Sequence, residues 1–163
     1  MIEAVVFDLD GTLVRLPIDY EALFDEFKQI MHVEQVRPVV ETVSRADEKT
    51  RAIVFSAWDR AELATRGKIT VNEEGMKTYR EFEDKPKALV TLQGRAVINV
   101  ILKQFGLRFA FVVTREDSLF RVDQLTKAIN LLEAEPRNVL VVGNTNGDAV
   151  AAKNLGCQFT RVK

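Results

Sequence analysis

Four short apolar runs, each stopped by a polar residue, constrain this chain more than any other feature. They are Ala4-Val5-Val6-Phe7 before Asp8, Ala88 to Val90 before Thr91, Phe109 to Val113 before Thr114, and Val139 to Val142 before Gly143. Continuously apolar strands of this length belong to a sheet covered by helices on both faces. Gln158 to Val162 is a weaker fifth candidate. Helical patterns separate them: Val97, Ile98, Ile101, Leu102 and Phe105, closed by Gly106; then Leu125, Ile129 and Leu132; then about Gly147 to Leu155, closed by Gly156. Strands alternating with helices predict an α/β fold, a Rossmann-like parallel sheet with right-handed crossovers.

One interval breaks the alternation. Between Val14 and Asp84 the pattern reads as helical throughout, with no convincing strand; stripes recur at Leu23, Phe24 and Phe27, at Val36, Val39, Val40 and Val43, and at Ile53, Val54, Ala57, Ala61 and Leu63. A stretch of about 70 residues is too long for a crossover loop, so it predicts an inserted α-helical domain. The expected division is a core of residues 1–14 and 84–163 and an insert of residues 15–83, with Lys85-Pro86 marking the return.

The composition excludes several classes. Of 163 residues, 47% are hydrophobic and 29% charged, which sets aside disordered and low-complexity chains. Lys and Arg number 23 against 24 Asp and Glu, so no chain-wide basic field exists to hold nucleic acid. No apolar run approaches the roughly 18 residues needed to cross a bilayer. The start of the chain lacks the basic and apolar pattern of a signal peptide. With Cys157 as the single cysteine no internal disulfide can form. A soluble, cytoplasmic protein is the expectation. Oligomeric state is not assigned by any of these features.

Ligands of an open parallel sheet bind beyond the carboxyl ends of its strands. Here those ends carry Asp8, Asp10, Gly11 and Thr12, then Thr91, then Thr114 and Arg115, then the run Gly143 to Asp148. Two carboxylates two residues apart call for a cation and can divide nucleophilic or metal-binding work from proton handling. Gly11 permits a sharp turn. The Thr91 hydroxyl with the amide of Leu92 can hold a phosphate oxygen. Arg121 can neutralise a phosphate, with Arg115 and Lys127 as competitors. Asp148 opens a helix, where a carboxylate also gains from the dipole. His32, Trp58, Phe55 and Tyr20 lie in the insert and read as packing or surface residues before they read as ligands.

The segment Phe-Asp-Leu-Asp-Gly-Thr-Leu at residues 7–13 closely resembles the first motif of the haloacid dehalogenase superfamily of phosphatases and phosphotransferases. In the same order, Thr91 resembles the second motif, Arg121 the basic third, and Gly143 to Asp148 the acidic fourth. The helical insert resembles that family's cap domain by position and pattern. This resemblance implies a Mg²⁺-dependent phosphatase, a phosphoric monoester hydrolase acting on a small phosphorylated metabolite through an aspartyl phosphate. It implies Asp8 as nucleophile, Asp10 as general acid and then base, Thr91, Leu92 and Arg121 as phosphate holders, and Asp8, Asp10, Asn144 and Asp148 as metal ligands. Asn144 departs from the family pattern, which has an acid there, and removes one negative charge from the site. It favours the alternative of a non-catalytic module that binds a phosphorylated ligand or a protein partner. A receiver domain is excluded by the large insert and by the absence of an accepting Asp after the third strand.

Overall fold

The computed structural model describes all residues 1–163. In chain order the elements are β1 (Ala4–Phe7), β2 (Val14–Arg15), α1 (Tyr20–Met31), α2 (Val39–Arg45), α3 (Glu48–Leu63), β3 (Thr70–Val71), α4 (Glu73–Glu81), β4 (Lys87–Val90), α5 (Arg95–Phe105), β5 (Phe111–Val113), α6 (Arg121–Leu132), β6 (Val139–Gly143), α7 (Asn146–Asn154) and β7 (Gln158–Arg161). Five strands form one sheet in the order β5-β4-β1-β6-β7, and every neighbouring pair is parallel. The α/β, Rossmann-like reading therefore holds.

Alternation along β1 assigns the two faces. Val5 and Phe7 enter one buried cluster with Leu89, Val142 and the α5 residues Val97, Ile98 and Ile101. Ala4 and Val6 point the other way, into a cluster with Leu125, Ala128 and Ile129 of α6 and Ala151 and Ala152 of α7. All four β1 residues are at most 1% exposed, which is why the run contains no polar residue to mark a solvent face.

The expectation of an all-helical insert needs two amendments. First, β2 and β3 pair antiparallel, Val14 with Val71 and Arg15 with Thr70, a two-residue ribbon too short to show any period in the sequence. Second, the helices divide between two cores. Leu23, Phe24 and Phe27 of α1, Val43 of α2, and Val54, Ala57 and Trp58 of α3 form a third cluster that also takes in Leu119. By contrast Met76, Tyr79 and Phe82, on and just after α4, pack on the sheet cluster beneath β1 and β4. The end of α4 is closed from the sheet: buried Lys87 on β4 donates from Nζ to the carbonyls of Phe82, Glu83 and Lys85 at 2.9–3.3 Å. Phe82 is the C-cap, where a cation matches the dipole, and the other two carbonyls belong to the turn that follows.

Candidate active site

β1 sits at the centre of the sheet, hydrogen-bonded on both sides, so Asp8 leaves a strand that cannot slide. Its amide donates to the Val142 carbonyl at 2.9 Å, tying it to β6. Beyond Asp8 the chain turns back at Gly11, whose φ of +82° suits glycine; a Cβ there would also lie 2.2 Å from the Asn144 side chain. This close approach brings the loop after β1 against the loop after β6. Thr12 bridges them, its Oγ1 standing 3.1 Å from Asp8 Oδ2 and 3.3 Å from Asn144 Oδ1. One hydroxyl proton serves two acceptors there.

Across the cleft, Arg121 at the first turn of α6 joins the two acids. Its Nη2 lies 3.0 Å from Asp8 Oδ1 and its Nε 3.1 Å from Asp148 Oδ1. The third nitrogen, Nη1, is buried and has no partner within the protein. Asp148 is fixed by the start of α7: Thr145 and Asp148 form a capping box, and Asp148 Oδ2 accepts from the Asn144 and Thr145 amides at 3.2 and 3.3 Å. Asp8, Asp10, Leu92, Gln93, Arg121, Asn144, Thr145 and Asp148 line a cavity of about 180 Å³.

Burial pushes the Asp8 carboxyl up to about 6, against the lowering pull of Arg121 and with a further push from Asp148. Burial likewise raises Asp10, whose carboxylate accepts from the Leu16 amide at 3.1 Å and has the Tyr20 phenol near it. A carboxyl whose pKa is raised holds its proton more readily, which suits a group that must both give and take one. The Tyr20 phenol is itself raised by burial and by Asp10.

Six of the seven residues to which the resemblance assigns a site role line one cavity, and the seventh, Thr91, does not. Thr91 is fully buried, its hydroxyl bonded to the Gln93 side chain and accepting from the Gln93 amide at 3.1 Å, so Leu92 and Gln93 face the cavity instead. Lys127 reaches Asp117 at 3.5 Å and is not in the site. His32 is exposed at the end of α1, as read from the sequence.

Arg115, offered by the sequence as a competitor for phosphate, faces other partners. Its side chain is 0% exposed, and Nη1 binds both Glu62 oxygens at 2.9 Å and the Leu92 carbonyl at 3.0 Å. Nη2 pairs with Asp59, and the guanidinium lies 4.6 Å from the Trp58 ring centre. Glu62, also 0% exposed, accepts from the Gly94 amide at 3.0 Å. Two residues of α3 and one from the loop after β5 thereby hold the Leu92–Gly94 loop that floors the cavity. Sequence reasoning missed this network because Glu62 and Arg115 lie 53 positions apart. The only signal was an acid inside an apolar helical stripe.

Two further missed residues brace the first loop. Asn72 caps α4 and donates from Nδ2 to the Gly11 carbonyl at 3.0 Å. Gly75, one turn on, lets α4 press on that loop: a Cβ would stand 1.6 Å from the Thr12 carbonyl oxygen. The sequence Asn72-Glu73-Glu74 is a helix-start pattern that could have located the cap.

The hard oxygens of Asp8, Asp148 and Asn144 Oδ1 and the Asp10 carbonyl are of the kind that divalent magnesium takes, usually with one or two carboxylates only. Their donor chemistry fits that ion, with one formal charge fewer than three acids would give.

Comparison with known proteins bears on the family and the fold. A family model described as haloacid dehalogenase-like hydrolase matches residues 5–162. The pyrophosphatase PpaX of Bacillus thuringiensis (strain Al Hakam) is 27% identical over 184 residues, covering 99% of this chain and 83% of that protein. A haloacid dehalogenase-like hydrolase from Bacteroides fragilis superposes with a TM-score of 0.72 at 19% identity, over 99% of this chain and 87% of its own. An enzyme from Bacteroides thetaiotaomicron, solved in complex with magnesium and inorganic phosphate, gives 0.59 at 12% identity, covering 100% and 95%.

Proposed function

The chain belongs to the haloacid dehalogenase-like hydrolase family, and from that premise we propose that it is a Mg²⁺-dependent phosphatase acting on a small phosphorylated metabolite. The observation that carries this reading is the Asp8–Arg121–Asp148 bridge, with Arg121 Nη1 buried and unpartnered beside the first carboxylate. A guanidinium that holds two acids and retains a free donor is suited to a third anion, the transferring phosphoryl group.

In the proposed reaction an Asp8 oxygen bonds to phosphorus as the bond from phosphorus to the substrate oxygen breaks. Asp10 gives its proton to that departing oxygen. A water molecule then attacks phosphorus, the bond to Asp8 breaks, inorganic phosphate leaves, and Asp10 recovers a proton from the water. Splitting one hard displacement into two lowers each barrier. Leu92, Gln93 and Arg121 orient the phosphoryl oxygens, and Thr91 acts by shaping their loop. Asp8, the Asp10 carbonyl, Asn144 and Asp148 would hold the magnesium. When bound, that ion supplies positive charge that lets an anionic nucleophile approach an anionic phosphate. Helices α1–α3 form the cap, which excludes bulk water from the first transfer. The relative from Bacteroides thetaiotaomicron, named as a magnesium and phosphate complex, supports the choice of ion and ligand class. No helix is long and apolar enough to cross a membrane, in keeping with an aqueous substrate.

The test is Asp8→Asn, which keeps size and removes the attacking charge. Turnover of phosphate monoesters should vanish with the fold retained, and rapidly quenched wild type should yield a phosphorylated peptide containing Asp8. A label on Thr12 or Thr91 refutes the mechanism. A second reading, a non-catalytic module that binds a phosphorylated ligand, draws on Asn144; it requires wild type to bind phosphate esters yet hydrolyse none at any Mg²⁺ concentration.

A further inference from the structure

A second cavity opens beside the carboxylate pocket and shares two of its walls, Leu92 and Arg121. Its remaining lining is Pro38, Val39, Val40 and Glu41 from the start of α2, with Leu119 and Phe120 from the approach to α6. About 360 Å³ in volume, it lies at the small end of the range for small-molecule sites. Because it adjoins the pocket at Leu92 and Arg121, it is placed to receive a group bonded to a phosphoryl held there.

We propose that this groove is the leaving-group subsite, and that it selects phosphate monoesters of a small apolar alcohol, such as a single ring or short branched chain, over a second phosphate. The proposal rests on the phosphoryl-transfer reading above.

Charge decides between the two leaving groups. Arg121 is the only cation lining either cavity, and it is already committed to Asp8 and Asp148. Of the cations nearest along the chain, Arg115 is sealed on Glu62 and Asp59, Lys127 reaches Asp117, and Arg37, next to Pro38, lies over the Phe24 ring. Arg161 turns to the Asn144 carbonyl and the Asn146 side chain. A leaving phosphate would therefore enter an apolar trough with Glu41 on its wall and no cation besides Arg121, whose one free nitrogen is taken by the transferring phosphoryl group, so its desolvation is poorly offset. An apolar alcohol meets no such penalty and gains by covering Val39, Val40, Leu119 and Phe120. The inference thus parts company with the name carried by the PpaX relatives.

Calorimetry with two non-hydrolysable probes tests the subsite apart from catalysis: phenylphosphonate for the apolar ester and methylenediphosphonate for pyrophosphate, each in excess Mg²⁺. Wild type should bind phenylphosphonate at least about tenfold more tightly, the low end of what apolar pocket contacts discriminate. Phe120→Lys places a cation on the wall of the groove, where the native ring is 39% exposed, and circular dichroism checks that the variant folds. That variant should lower the ratio about tenfold or reverse it, and Val39→Ala should weaken phenylphosphonate alone. Equal or tighter binding of the diphosphonate by wild type overturns the proposal, as does an unchanged ratio in both variants. Turnover is read separately with phenyl phosphate and pyrophosphate. Selective binding of phenylphosphonate without turnover of either compound would leave the subsite standing and refute the phosphatase reading.

Discussion

Replacing Arg115 with Met would remove the cation at the centre of the buried network while filling most of its volume. The variant leaves Glu62, 0% exposed, with only the Gly94 amide as a partner. It also strips the Leu92 carbonyl of its donor and takes the charge from beneath Trp58. Breaking a buried pair by deleting one member costs about 3–5 kcal/mol. At roughly 2–4 °C per kcal/mol for a chain of this size, the midpoint of thermal unfolding should fall by about 6–20 °C. The loss depends on pH. Burial pushes the Glu62 carboxyl up from 4.5 to about 7 even with Arg115 present, and without Arg115 it rises further. A raised folded value favours the protonated fold, so this contribution is present in full below 4.5 and is lost as pH rises through the folded value. Wild type and variant part above about pH 7, by at most about 1.4 kcal/mol per pH unit. Urea unfolding at pH 6 and pH 8 measures this, and Trp58, the one tryptophan, reports from against the guanidinium. Far-ultraviolet circular dichroism supplies a global probe. Because two well-packed apolar residues can stand in for a buried pair, Arg115→Met with Glu62→Leu should recover most of the loss. A cost under about 1 kcal/mol at pH 8, or a double variant no better than Arg115→Met alone, would refute the reasoning.

Two other outcomes follow from the geometry. Asn144→Asp restores a third formal charge among the oxygen donors, so half-maximal activity should need less Mg²⁺ than in wild type; an unchanged requirement in a Mg²⁺ titration would show that position 144 does not face the ion. Gly75→Ala drives a methyl to within 1.6 Å of the Thr12 carbonyl oxygen unless α4 or the loop after β1 moves, which should cost about 1–3 kcal/mol and depress turnover together. Wild-type stability and rate in that variant would show that the contact is slack.

The core was legible because its strands are buried on both faces and stop at polar residues: Asp8, Thr91 and Gly143 mark three carboxyl ends in the sequence, and the structure sets all three side by side. Asp10, Arg121, Asn144 and Asp148, just beyond strand ends or in the first turn of a helix, are singled out through the order of motifs that the chain shares with the family it resembles, and the structure brings them around one cavity. What lies outside strand periodicity was not legible. The ribbon of Val14–Arg15 with Thr70–Val71 is two residues long on each side and carries no pattern. Arg115 sat at a strand end like the other candidates, and nothing local distinguishes a guanidinium facing phosphate from one facing Glu62. Thr91 was found correctly as a strand end, but the direction of its hydroxyl depends on Gln93, a contact made only by the folded turn.

That two-residue ribbon has an architectural consequence. By pairing Val14 with Val71 it brings the two ends of the intervening excursion within one strand spacing of each other. A segment whose ends emerge side by side can be exchanged for another of different length without disturbing the register of the strands outside it. Chimeras joined at the ribbon are therefore geometrically simple, with one condition attached. A donor segment lacking acids equivalent to Asp59 and Glu62 would strand Arg115 as a buried unpaired cation, so a graft must bring those two carboxylates or replace the arginine at the same time.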